Sequence, residues 1–503
     1  MASDDLSGKT RADLLELARD RGVSGRSSMS KKELQHALAR AMREPGEPGE
    51  APAADRLQAF RDLAARRARG EMVFLPSNLT GHERRMHVRQ TLREDHQKRI
   101  STRAEDTAAK FTKLHDNLFS FFRGTCLLFY RDMAGEDAWM PTVLTLGDVH
   151  PENFGVMPSA DNVPIFGVND FDEAFYAPFT WDLKRGAAGF VIGAEVEGEL
   201  GRKHQRRIAA AFVSGYVEAM QEYADDAIEQ QGQLRQDNAP KVIRKLIESA
   251  VEEPQADWLA RKYHDEHRRG FRADDEHVPV SGRREEFQEA LDRFVEENDI
   301  EVPERTRGMK VKDVCQRLGQ GTASLGLPRY YLMIEGPNGD GTDDVILEFK
   351  QARRSALAGL APPSEFVMDG SAQRISHAQG VHLVRGDRFY GAVEMDGLSF
   401  MVRERAPFRD DIDLDELSKK TWRKYAAICG RSLAQSHALS DEAGLLDHDI
   451  EPDILAAMGP RDLFVHDIVE WAMESADRHR EDHRHFRRDH ELGAFAAVDR
   501  VFK

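Results

Sequence analysis

Residues 145–185, TLGDVHPENFGVMPSADNVPIFGVNDFDEAFYAPFTWDLKR, constrain the fold more than any other stretch of this chain. Short apolar runs alternate there with carboxylates, amides and a histidine, so the chain must build short strands that carry polar loops at their ends. Residues 163–168 read as a buried strand, being a brief apolar run bounded by turn-forming residues. Asp148 and Asn153 lie in a Gly-Asp-Val-His-Pro-Glu-Asn loop before that strand, and Asp170 and Asp172 lie just after it. This layout suits magnesium and phosphate. Phosphoryl transfer asks a protein to hold Mg²⁺ with oxygen ligands, neutralise phosphate charge and orient an acceptor hydroxyl. Asp148 is placed to take the hydroxyl proton as catalytic base, while Asn153 offers a neutral oxygen and Asp170 a charged one to the metal. His150 and Asp172 would support the site, and Asp182, opening a helix in Thr-Trp-Asp-Leu-Lys-Arg, would anchor the loop. Each has a plainer alternative: an aspartate in a Gly-Asp turn can simply form an Asx-turn, and His150 can be a hydrogen-bonded structural histidine. The compound spacing, rather than any single residue, favours chemistry.

A chain of 503 residues exceeds one ordinary core, so two or three domains are expected. With 40% hydrophobic and 32% charged residues, it has no run approaching the ~20 apolar residues of a membrane helix, and its first residues lack an apolar signal core. The expectation is a cytoplasmic protein with no membrane partner. Cys126, Cys315 and Cys429 are far apart and set among apolar neighbours, which fits reduced packing residues. A formal net charge of -17 restricts any nucleic-acid contact to a local patch.

That patch is sought in residues 1–42. Two short helical patterns join at a Gly/Ser turn there, with Thr10 and Asp13 capping the first and Ser30 and Glu33 the second. Leu14, Leu15, Leu17 and Ala18 would face Leu34, Ala37, Leu38 and Ala41, leaving Arg19, Arg21, Arg26, Lys31 and Lys32 as a basic face. The leucine pattern, the Gly22-Val23 turn and Lys31-Lys32-Glu33-Leu34 resemble the N-terminal helical module of transcription termination factor Rho and SAP modules. That resemblance implies nucleic-acid binding or protein docking; a solvated helical pair serving as an adaptor is the alternative. Residues 43–55, rich in Pro and Gly, read as a flexible linker.

Residues 56–133 are mostly helical by pattern, with Phe111, Leu114, Leu118, Phe121 and Phe122 spaced for one buried face. Gly124 reads as a helix cap, and Arg123 beside it as a structural residue that could also reach a phosphate. Residues 186–300 read as helices without a catalytic signature; His264, Glu266 and His267 fit a solvated face better than a substrate cleft. The charged tail with His479, His483, His485 and His490 reads as a solvated helix rather than a metal site.

A second informative pattern spans residues 312–350. Gly319, Gly321, Ser324 and Gly326 lie in or near a turn between strands, residues 330–334 continue as a strand, and residues 345–350 form another that ends in Lys350. A glycine-rich hairpin followed by a strand-borne lysine is how kinases cover and grip phosphates, although an ordinary hairpin with a surface lysine has the same pattern.

Taken together, Asp148, His150, Asn153 and Asp170 resemble the catalytic loop and metal-binding aspartate of aminoglycoside and choline kinases. More closely, FFRG, GDVHPENFG, NDFDEAFYAPFTWDLKR and the later glycine loop resemble the bacterial domain of unknown function 2252 family over most of residues 60–490. The resemblance implies an α+β, two-lobed protein-kinase-like fold, with Asp148 as base, Asn153 and Asp170 as Mg²⁺ ligands, and ATP bound by Gly319, Gly321, Ser324 and Lys350. Leu146 stands where those kinases usually carry His. Because the glycine loop follows the catalytic loop, the fold would be circularly permuted. Residues 56–305 would then carry the metal site, 306–405 the β-rich lobe and 406–503 the rest of the larger lobe, including a helix at 422–437. Residues 400–405, with Val402 and Arg403, take the place of an interlobe hinge that meets adenine. The helix expected at 371–383 has no glutamate to pair Lys350, and Glu365 is the nearest candidate. The function this implies is a Mg²⁺- and ATP-dependent phosphotransferase with an unread acceptor. An inactive kinase-like scaffold, nucleotidyl transfer and, last, a two-metal phosphoesterase remain as alternatives.

Overall fold

The computed structural model describes residues 9–20, 30–32, 34, 35, 38, 76–226, 228–319, 327–362, 364, 366, 371–408, 410–442 and 444–496. Its contacts divide the chain into two compact units, Met1–Val73 and Phe74–Lys503. The predicted linker, residues 43–55, lies outside the described residues, as do Ala37 and Ala41.

In the first unit, α1 (Arg11–Asp20) begins with a reciprocal cap. The Asp13 N–H donates to Thr10 Oγ1 at 3.3 Å and the Thr10 N–H donates to Asp13 Oδ2 at 2.9 Å, which satisfies two donors that a helix start leaves open. Leu14, Ala18, Leu34 and Leu38 form a small buried cluster with Leu15 and Leu17 against it. Lys31 and Lys32 are exposed.

The second unit opens with α2 (Gly81–Thr102), α3 (Ala104–Asp116), α4 (Leu118–Gly124) and α5 (Cys126–Met133), followed by β1 (Thr142–Thr145), β2 (Phe154–Pro158), β3 (Pro164–Val168) and β4 (Phe175–Pro178). Then come α6 (Phe179–Val196), α7 (Arg202–Asp226), α8 (Lys241–Ala250), α9 (Gln255–Lys262), β5 (His277–Pro279) and α10 (Arg284–Glu297). The strands β6 (Val311–Arg317), β7 (Arg329–Ile334) and β8 (Val345–Gln351) precede α11 (Ser371–His382), β9 (Gly391–Met395), β10 (Leu398–Glu404) and β11 (Asp410–Asp411). Helices α12 (Lys419–Glu442), α13 (Glu451–Met458) and α14 (Arg461–Glu491) complete this mixed α+β unit.

A six-stranded antiparallel sheet runs in the order β5-β6-β7-β8-β10-β9. Alternation along β8 gives its faces different fates. Leu347 and Phe349 pack with Phe287, Leu291 and Phe294 of α10, whereas Ile346 joins Trp258, Tyr263 and Phe271 on the other side. Glu348 and Lys350 share the Ile346 face. The largest core lies among the helices, where Trp181, Phe190, Phe212, Trp422 and Tyr425 are buried together. Helices α7 and α12 approach closely at two glycines: a Cβ on Gly430 would lie 2.0 Å from the Phe212 carbonyl oxygen, and one on Gly215 2.2 Å from that of Ala427. Two smaller sheets, β1-β4 and β11-β2-β3, hold the loops read as chemical in the sequence.

Several expectations change. Helix α14 is a packing element rather than a solvated tail: His479, Asp482, His483, Phe486 and Asp489 are buried on it. Its buried charges are internal partners, since Arg84 bridges Asp482 (2.6 Å) and Asp132 (2.7 Å) in a buried triad, and His483 Nε2 lies 2.8 Å from the Leu114 carbonyl. His264 is likewise buried, 3.1 Å from Asp344. Gly124 is no left-handed cap; it ends α4 inside the helix, where a Cβ would meet Leu114 Cδ2 at 2.4 Å. The predicted apolar face breaks at Asn117, whose Oδ1 accepts from the Ser120 N–H, and splits between two clusters, with Phe111, Leu114 and Phe121 in one and Phe122 in the other. The three cysteines are buried and free.

Candidate functional site

The loop joining β1 to β2 is held from beneath by the first turn of α6. Asp182, fully buried, accepts the Leu146 N–H at 2.6 Å and the Gly147 N–H at 3.0 Å. His437 of α12 lies 3.2 Å from the same carboxylate, and its other ring nitrogen lies 2.8 Å from the Tyr216 hydroxyl. Asp182 thus anchors the loop that Leu146, buried in the core, carries only by its backbone. Gly147 has φ +79°, and a Cβ there would stand 2.3 Å from the Glu173 carbonyl oxygen, so both conformation and space require glycine. Tyr130 donates to the Gly147 carbonyl at 2.6 Å.

Within the loop, His150 is buried and caps the short turn after it, its Nδ1 accepting the Glu152 N–H at 3.2 Å. Desolvation, reinforced by Arg123 and Arg185, holds its pKa well below the ordinary value, so it is a neutral structural residue. Asn153 donates through Nδ2 to the Asp148 carbonyl at 2.5 Å. The amide nitrogen is therefore committed, and Oδ1 is the end available to a cation.

Asp148 is gripped by a residue the sequence reading left without a role. Arg185 donates to Asp148 Oδ1 through Nε (2.8 Å) and Nη2 (2.5 Å), and its guanidinium stacks 4.3 Å from the Phe122 centroid and 4.9 Å from that of Phe129. Desolvation nevertheless pushes Asp148 up to about 6 against the pull of Arg185, with Glu173 and Asp170 adding repulsion. The signal was present: Asp182 and Arg185 stand three apart on one helix, so the face that anchors the loop also meets its aspartate.

Asp170 and Asp172 follow β3. Asp170 is 41% exposed at its side chain, and its Oδ1 accepts the Asp172 N–H at 3.3 Å. The structure brings Lys350 of β8 to this turn, with Nζ 2.5 Å from Asp172 Oδ2 and 3.9 Å from Asp170 Oδ1. Despite desolvation, Lys350, then Arg403 and Arg329, hold Asp172 below the usual carboxylate range. Its Oδ1 is buried with no hydrogen-bond partner among the described residues. Arg374 of α11 donates to the Asp172 carbonyl at 2.7 Å and also to that of Ala174, so a cation from this helix docks the turn in place of the absent glutamate. Glu173, buried, receives Arg353 at 2.7 Å and the Ala356 N–H at 2.5 Å.

Other predicted residues are placed differently. Gly321, Ser324 and Glu365 lie outside the described residues. Gly319 follows β6 with φ +74° and open space around it, as a turn residue should. Val402 and Arg403 do not stand at a free hinge. Val402 is paired on both sides, opposite Phe349 and Gly391, and is buried in the apolar face of the sheet. Arg403 sits opposite Glu348 and donates to its Oε2 at 2.5 Å, as a core ion pair. A strand flanked on both sides uses its backbone groups in the ladder, and the chain leaves the sheet only after Arg405, whose N–H donates to the Ile346 carbonyl at 2.8 Å. Arg123 is engaged by Glu152 and lies over Phe119.

Among the described residues no group of three or more His, Cys, Asp or Glu side chains is gathered tightly enough to hold a metal by itself. Asn153 and Asp170 together offer one amide and one carboxylate oxygen, a set that fits Mg²⁺ sharing its shell with water and phosphate. No helix among the described residues is long and apolar enough to cross a membrane. Neither a curated protein nor a solved structure matches the chain. The profile of a family described as uncharacterized proteins conserved in bacteria, domain of unknown function 2252, matches residues 103–489, a span that takes in the Asp148 loop, the Asp170 turn and Lys350 alike; the chain belongs to that family.

Proposed function

We propose that this chain is a Mg²⁺-dependent phosphotransferase that uses ATP, built on a circularly permuted, two-lobed protein-kinase-like fold. The observation that carries the reading is the meeting of Lys350 with Asp172 at 2.5 Å and Asp170 at 3.9 Å, which joins two segments far apart in sequence. Support comes also from the sheet: β6 and β7 flank the glycine-rich segment and β8 carries the lysine, the arrangement in which kinases cover and grip phosphates.

In this reading Asn153 and Asp170 would hold Mg²⁺, which when bound neutralises phosphate oxygens. Asp148, raised to about 6 and oriented by Arg185, takes the proton of the acceptor hydroxyl. Lys350 exchanges part of its contact with Asp172 for a phosphate. Residues 1–42 serve as a docking module for nucleic acid or protein. A second reading, an inactive scaffold, draws on the absence of an acid on α11, where Arg374 faces the turn instead.

Incubating the full-length protein with Mg²⁺ and ATP labelled on its γ- or α-phosphate, together with cell extract, separates these readings. Transfer of γ-label that is lost in Asp148→Asn supports the phosphotransferase. Transfer of α-label indicates nucleotidyl transfer, and nucleotide binding without either product indicates the scaffold.

A further inference from the structure

A cluster of positive charge lies where the starts of α7 and α12 meet, on residues that take no part in the Asp148 site. Glu222 of α7 pairs with Arg431 of α12, and Gly215 packs on Ala427, so positions advance in the same direction along both helices and their N-termini lie side by side. Neither helix has an acidic residue in its first turn, although a helix start favours negative charge. Instead His204 and Arg207 of α7 converge with Lys419, Lys420, Arg423 and Lys424 of α12 on an open concavity of about 570 Å³.

These cations differ from their neighbours. Arg202 pairs with Asp477, Arg206 with Glu470, Arg431 with Glu222 and Arg480 with Glu195, as expected in a chain with 88 acidic and 71 basic residues. Arg207, Lys419, Lys420, Arg423 and Lys424 are exposed and have no ion-pair or hydrogen-bond partner among the described residues. The charged groups acting on His204 are Lys419, Arg207 and Lys203, and together with desolvation they push its pKa down. Asp415 and Glu416 precede α12 but do not line the concavity.

We infer that this groove binds the phosphate backbone of a nucleic-acid strand, independently of base sequence. Lys419 with Arg423 and Lys420 with Lys424 are each one turn apart, so α12 presents positive charge in steps of about 6 Å along its axis, a ladder suited to successive phosphates. Three of the five unpaired cations are lysines, point charges that suit phosphate oxygens without the planar fork that selects carboxylates. None of the exposed large hydrophobic side chains lines the groove, and its surface is concave, which disfavours a lipid surface. No phenylalanine, tyrosine or tryptophan lines it either, so bases have no broad stacking platform there. The inference does not depend on the phosphotransferase reading.

The test is fluorescence anisotropy of the full-length protein with a short labelled mixed-sequence DNA duplex across a salt series. Replacing Lys419, Lys420, Arg423 and Lys424 together by alanine should reduce the slope of log K against log salt by about 0.9 per lost contact, hence by roughly 3 to 4, and weaken binding at least about tenfold. All four are exposed, so an unchanged melting temperature certifies the variant, and Arg207→Glu on the opposite wall should weaken binding in the same direction. Wild-type affinity and slope in both variants overturn the proposal. So does loss of binding only when Lys31 and Lys32 are replaced, or displacement of the duplex by poly-glutamate at equal charge concentration.

Discussion

Two ion pairs at the candidate site are built from the same chemistry and end in opposite states. Asp148 meets Arg185 at 2.5 Å and Asp172 meets Lys350 at 2.5 Å, each carboxylate largely removed from solvent. Asp148 nevertheless rises to about 6, while Asp172 is lowered. Desolvation heads the causes at both positions, so the neighbours decide. Asp148 has one cation and feels Glu173 and Asp170, whereas Asp172 is drawn down by Lys350, Arg403 and Arg329. One carboxylate thus exchanges its proton near neutrality while the other stays a fixed charge, the division that the proposed phosphotransferase would need between its base and its electrostatic anchor.

Breaking the first pair should have the largest effect. Arg185→Ala strands Asp148 and removes the stacking on Phe122 and Phe129, and urea unfolding should report a loss of about 3–5 kcal/mol. Arg185→Lys keeps the charge without the fork and should lose clearly less. Next in size is the pH dependence of stability. A carboxylate raised in the folded state favours folding fully below its unfolded value near 4, and that contribution disappears as pH rises through about 6, amounting to about 3 kcal/mol for Asp148. Asp172, being lowered, has the opposite sign: its contribution is present above about 4 and is lost as the solution becomes more acidic. Unfolding curves across this window should therefore lose their fall toward pH 6 in Asp148→Asn and keep it in Asp172→Asn. Lys350→Met should follow, at about 1–3 kcal/mol in thermal unfolding, because Asp172 is 21% exposed and partly solvated once its partner is gone. The smallest effect belongs to the exposed pair Arg202–Asp477, whose removal by Arg202→Ala should cost under about 1 kcal/mol.

The contrast also shows why some of this was legible in the sequence. The loop from Gly147 to Asn153 and the turn at Asp170 were readable because glycine, proline and amide residues at strand ends have local consequences, and Lys350 because it ends an apolar strand after a glycine-rich turn. What escaped was long-range. Val402 reads as a hairpin residue in any register, and only the order of the sheet shows that β10 is flanked on both sides. The charged pattern of α14 resembles a solvated helix until Arg84 and Asp132, far away in the chain, supply buried partners for Asp482. The basic groove is assembled only in the fold, because His204 and Arg207 come from α7 and Lys419, Lys420, Arg423 and Lys424 from α12.

Whether Asp170 and Lys350 hold a magnesium–nucleotide is decided by calorimetric titration of the full-length protein with ATP. The runs compare Mg²⁺ with chelator, and wild type with Asp170→Asn and Lys350→Met. Binding should require Mg²⁺, fall at least about tenfold in Asp170→Asn and weaken in Lys350→Met. Equal heats in all three proteins, or binding indifferent to the metal, would contradict it.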